Sequence, residues 1–138
     1  MKRDSRLIGL SSEHHHALVL ARTIERQVET WSTSNGKALR ERFDRELEPH
    51  FHTEEQLLLP GLRAAGKVEL CERLEADHSR LRSTAALAAA GDGEAARAFG
   101  LHLAEHVRFE ERSVFPVCES VLPDHVLDEV ARRAPKEP

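Results

Sequence analysis

Tyrosine is absent from this chain of 138 residues, and tryptophan occurs once. No phenol is therefore on hand as a buried proton donor, whatever chemistry the chain performs. Cysteine is scarce too. Cys71 and Cys118 stand far apart, match no zinc or redox spacing, and read as two reduced core thiols. Positive charge is not in excess: the formal net charge is −4 and the pI is near 6.1, so nothing points to a nucleic-acid partner. With 32% of residues charged, no apolar run approaches the length of a bilayer span, and no membrane partner is expected. The opening residues, Met1 to Ser5, lack the apolar stretch of a signal peptide. The expectation is a single domain over 1–138, located in the cytoplasm.

What the chain has in plenty is histidine, nine in all. They are scattered, with His14, His15 and His16 the only run, so an expression tag does not explain them. Alanine, leucine, glutamate and arginine dominate, and the alternation of β-branched residues that marks strands is missing, which predicts an all-α fold. The first helix is expected at about 11–31 with Ser11 or Ser12 as N-cap, followed by a polar loop over 32–36. The second runs from about 37 to 64 and ends at Gly66. The third covers about 68–89 and ends at Gly91 to Gly93. The fourth covers about 94–121, and Pro123 opens a short tail helix. Long helices on short loops pack as an up-down antiparallel four-helix bundle with a short C-terminal helix. Pro49, Pro60 and Pro116 fall inside helical patterns and are expected to kink or end them.

Each helix carries one apolar stripe at three- and four-residue steps. The first reads Leu7, Leu10, His14, Ala17, Ala21, Ile24, Val28, Trp31. The second reads Phe43, Leu47, His50, Glu54, Leu57, and the third Cys71, Leu74, His78, Leu81, Ala85, Ala88. The fourth reads Phe99, Leu103, His106, Glu110, Val114, Val117. The polar interruptions are all histidine or glutamate. A carboxylate buried without a partner costs several kcal/mol, and no lysine or arginine lies on a stripe to pair with Glu54 or Glu110. Four imidazoles and two carboxylates converging in a core form a metal-ligand set. Nitrogen and oxygen donors without thiolate suit iron, manganese or zinc.

The chain also repeats itself. His50, Glu54, Glu55 and Pro60 recur at the same offsets as His106, Glu110, Glu111 and Pro116. Glu13-His14 with Ala17-Leu18 is echoed by Asp77-His78 with Leu81-Arg82. Two half-sites related by a pseudo-twofold favour two metal ions over one, with Glu54 and Glu110 as candidate bridges.

This pattern resembles the hemerythrin-like, or HHE cation-binding, domain family over about residues 7–121. The resemblance implies a four-helix bundle with a non-haem di-iron centre. By motif position it implies ligation by His14, His50, Glu54, His78, His106 and Glu110. It also implies a small ligand such as dioxygen, nitric oxide or peroxide, bound or sensed at the iron. The alternatives are a di-iron enzyme reducing peroxide or oxygen, and a metal-holding interaction bundle. The chain departs from the family's oxygen carriers, which place two histidines one turn apart on the third helix; here the neighbours of His78 at that spacing are Leu74 and Arg82. One histidine ligand is missing, which leaves one metal more open. Off the stripes, His15, His16, His52 and His125 read as surface residues, with a place beside the metal ligands as the alternative for His52 and ligation in place of His14, through a kink at the start of the first helix, as the alternative for His15. His102, one turn before His106, is the candidate for the missing ligand. Glu55 and Glu111 read as exposed partners of arginine, with a role beside the metal ligands as the alternative.

Overall fold

In the computed structural model, which describes residues 2–136, those residues form helices joined by short turns, and no strand occurs among them. Helix α1 spans Ile8–Gln27. A second helical rod, 33–64, is built from α2 (Thr33–Arg42), α3 (Glu48–Thr53) and α4 (Leu59–Ala64) with π-helical turns at Phe43–Leu47 and Glu54–Leu58 between them. Helix α5 spans Val68–Ala89. A fourth rod, 93–121, joins α6 (Gly93–Phe109) to α7 (Phe115–Val121) through a π turn at Glu110–Val114. The short α8, Asp124–Arg133, closes the chain. Helix α6 packs against both α1 and α5, and α5 also packs against α2.

The helix ends follow local chemistry, and two expectations are corrected. Ser11 and Ser12 are not caps. Helical structure begins earlier, with a 3-10 turn at Ser5–Leu7 whose Asp4 side chain accepts from the Arg6 N–H. Residues 33–36 are not loop. The Ser32 hydroxyl accepts from the Asn35 N–H while the Asn35 side chain accepts from the Ser32 N–H, a reciprocal cap that starts α2 at Thr33. Gly36 then sits where α2 crosses α5. A Cβ there would lie 2.5 Å from the Ala89 carbonyl oxygen, so only glycine allows the approach. The ends of α4 and α5 fall as expected, at Gly66 and Gly91, both with positive φ.

The three prolines do not end their rods. The residue before each one, Glu48, Leu59 or Phe115, donates its N–H to the carbonyl five residues back, on Phe43, Glu54 or Glu110. The widened turn makes room for the proline ring and absorbs its missing donor.

Burial divides the core in two. One apolar cluster holds the middle of α1, α2, the C-terminal half of α5 and α6, with Phe43, Phe51 and Phe99 among its members. The other holds Leu7, Leu10, α4, the start of α5, α7 and α8. Between them lies a polar layer. His14 sits between Leu10 and Ala17, and His78 between Leu74 and Leu81, each pair drawn from opposite clusters.

Candidate metal centre

The polar layer contains all six residues singled out by the stripes. His14, His50, Glu54, His78, His106 and Glu110 are each at most 4% exposed. They converge as two groups sharing both glutamates: His14, His50, Glu54 and Glu110 in one, and His78, His106, Glu54 and Glu110 in the other. Within each group the ligand atoms all lie within 4.8 Å of one another.

The imidazoles are oriented from outside. His14 Nδ1 lies 2.6 Å from Glu111, His50 Nδ1 2.8 Å from Glu13, His78 Nδ1 2.7 Å from Glu55, and His106 Nδ1 2.9 Å from Asp77. A carboxylate only accepts, so each Nδ1–H donates and each Nε2 is turned inward with its lone pair. There the Nε2 atoms meet oxygen acceptors: His14 at 2.8 Å from Glu110, His78 at 3.0 Å from Glu54, His50 at 3.1 Å from Glu54 and His106 at 3.4 Å from Glu110.

Lone pairs facing carboxylates need a cation between them, either a proton or a metal. The titration behaviour of the metal-free cluster says the same. Burial alone would keep His50 neutral, but Glu54, Glu110 and Glu13 hold its pKa well above the ordinary imidazole value. Burial likewise opposes charge on His106, yet Glu110 and Asp77 push its pKa up to about 10. Burial would raise the Glu110 carboxyl, but His106, Glu54 and His14 hold it well below the usual range. Four inward atoms, His50 Nε2, His106 Nε2, Glu54 Oε2 and Glu110 Oε2, are buried with no hydrogen-bond partner. Buried polar atoms left unpaired in this way cost roughly 1–3 kcal/mol each unless something binds them. The set therefore fits a metal ion in each group.

The arrangement obeys the internal repeat. Glu13 holds His50 and Asp77 holds His106 within the halves, while Glu55 holds His78 and Glu111 holds His14 across them. The acid preceding His14 and the acid preceding His78 were visible in the sequence as a repeat, though no role attached to them. Glu55 and Glu111 do pair with arginine, Arg82 and Arg3 respectively, and also orient a histidine. His102, the candidate for a further ligand, lies outside both groups, its Nε2 3.0 Å from Asp77. His15, His16, His52 and His125 are exposed. Cys71 and Cys118 are buried free thiols, and burial raises the pKa of both, so neither offers a thiolate.

A cavity of about 280 Å³ opens between α1 and the 33–64 rod and reaches His14, His50, His106 and Glu110. Phe51 forms part of its wall and stacks on His78 at 4.2 Å between ring centres.

The family model described as the hemerythrin HHE cation-binding domain matches residues 9–118. No curated protein and no solved structure matches the chain.

Proposed function

The chain belongs to the hemerythrin HHE cation-binding domain family, and on that premise we propose that it is a cytoplasmic non-haem di-iron protein that binds or senses dioxygen, nitric oxide or peroxide. Its rods then form the up-down four-helix bundle of that family, with α8 appended. His14 and His50 would hold one iron, His78 and His106 the other, and Glu54 and Glu110 would bridge both. The observation that carries this reading is the set of inward metal-ligating atoms without hydrogen-bond partners in a layer between two apolar clusters.

An iron pair supplies redox exchange and a coordination position for a small ligand. The chain's own residues do the rest. Glu13, Glu55, Asp77 and Glu111 fix the tautomer and direction of each imidazole. Phe115 lies flat on His14 at 5.1 Å and Phe51 on His78, which keeps water from those rings. The nitrogen and oxygen donors favour iron, with manganese or zinc as substitutes.

The test is iron quantification with an ultraviolet-visible spectrum of aerobically purified protein. About two ions per chain are expected, from the two donor groups. Glu54→Ala and Glu110→Ala should each lose most of the metal, since each removes a charge shared by both sites. Full loading of both variants would rule out the bridges. Turnover with peroxide separates an enzyme from a binder.

A further inference from the structure

The donor set is nearly twofold symmetric, but its surroundings are not. The repeat that relates His14 to His78 also relates Ala17 to Leu81. Both are buried in the same core cluster, but Ala17 also lines the cavity that reaches the centre, and Leu81 does not. A helical side chain leans toward the turn before it, onto the residue three positions back. A long side chain at position 17 would therefore lie over His14, and Leu81 stands in that same relation to His78. Phe51 adds to the difference. It stacks on His78 with an angle of 16° between the rings while its other surroundings include the cavity, so it stands between the cavity and His78. The cavity reaches both histidines of the first group and only His106 of the second.

We propose that small donor ligands, azide-sized anions, peroxide or nitric oxide, reach the centre through this cavity between α1 and the 33–64 rod, on the His14/His50 side, and that Ala17 keeps the route open. The inference rests on the ligand-binding reading given above. The cavity volume is many times the roughly 30 Å³ share of one water molecule, so a ligand of a few atoms enters without moving the helices. Ala17, Leu20, Phe51 and Leu103 give it apolar lining, Glu13, Arg45 and Glu46 add charged groups, and His14, His50 and Glu110 join it to the cluster. A ligand entering from this side therefore meets the donors of one half-site first. An arrangement symmetric in its donors thus becomes asymmetric in its access.

The experiment uses the full chain loaded with iron, with azide as the probe. Azide binding is followed by its spectral change and rate, and iron content is measured on the same samples. Ala17→Leu copies the residue of the other half. It should keep its iron and bind azide about tenfold more slowly or worse, because entry then requires a side-chain displacement. Ala17→Val should fall between Ala17→Leu and the parent, and decides the matter alone if Ala17→Leu fails to fold or to load. Parent-like azide rates in every variant that retains iron overturn the route. Iron-loaded parent protein that takes up no azide overturns the ligand-binding reading itself.

Discussion

At the scale of the residue, direction matters as much as identity. Four imidazoles could face any way in a polar layer; here each is pinned at Nδ1 by a carboxylate at 2.6–2.9 Å. Asp77 is itself held by His102 as well as His106, and these imidazoles, working against the cost of burial, keep it ionised. Removing such a charge without removing a ligand should loosen the metal. Asp77→Asn and Glu111→Gln are expected to weaken metal affinity by about 10–100-fold while the fold persists, measured by competition with a chelator. An unchanged affinity in both would make these carboxylates bystanders. The run of three histidines gives a second residue-scale contrast. His14 is in the cluster, while His15 is turned to solvent by the roughly 100° step of the helix. His14→Ala should lose metal or shift its spectrum, and His15→Ala should leave both as they are. Helical phase made His14 legible from sequence, because the stripe through Leu10 and Ala17 holds. The carboxylates Glu13 and Asp77 were not legible. Each lies one residue off the stripe, and that phase alone does not distinguish a surface acid from one that reaches a neighbouring helix.

At the scale of the element, the π turns carry the lesson. The stripes predicted Leu57 and Val117 as inward positions after Glu54 and Glu110. The deeply buried residues are instead Leu58 and Cys118, while Leu57 and Val117 are partly buried. One extra residue in each widened turn shifts the phase by one position, which a fixed 3.6-residue period does not reproduce. The helices without such turns, α1 and α5, kept their predicted stripes throughout their buried lengths. The signal was present in the repeated spacing of six from Glu54 to Pro60 and from Glu110 to Pro116. Two of the three π turns begin on a glutamate of the cluster, so the backbone change there aims that carboxylate. Replacing the proline lets an ordinary α turn compete. Pro60→Ala and Pro116→Ala should therefore leave the metal-free melting temperature within a few degrees but lower metal affinity. Affinity equal to the parent's in both would show that the prolines do not hold the turns.

At the scale of the whole molecule, a polar layer separates two apolar clusters, and what fills that layer sets the stability of both. Without metal, protons must stand between the imidazoles and the carboxylates. Burial resists the charge, yet Glu110 and Asp77 raise the His106 pKa to about 10, and a raised imidazole stabilises the fold fully below its ordinary value of 6.5. That contribution is lost as pH climbs through about 10. Glu110 is held well below its ordinary 4.5, so its contribution is present above that value and fades as pH falls. The metal-free chain should thus be most stable in mildly acidic solution and weaken from pH 6.5 upward. A bound cation takes over the protons' place and does not titrate away in that range. Metal at about 1,000 times its dissociation constant adds about 4 kcal/mol to the folded state. For a chain of 138 residues that corresponds to roughly 14 °C in melting temperature. Chelator-treated protein is therefore expected to melt well below loaded protein, and the gap to widen as pH rises from 6.5 to 9. Calorimetry across that range checks it: equal melting temperatures would place the metal outside the core, and a gap independent of pH would mean that metal and protons do not compete for the same atoms.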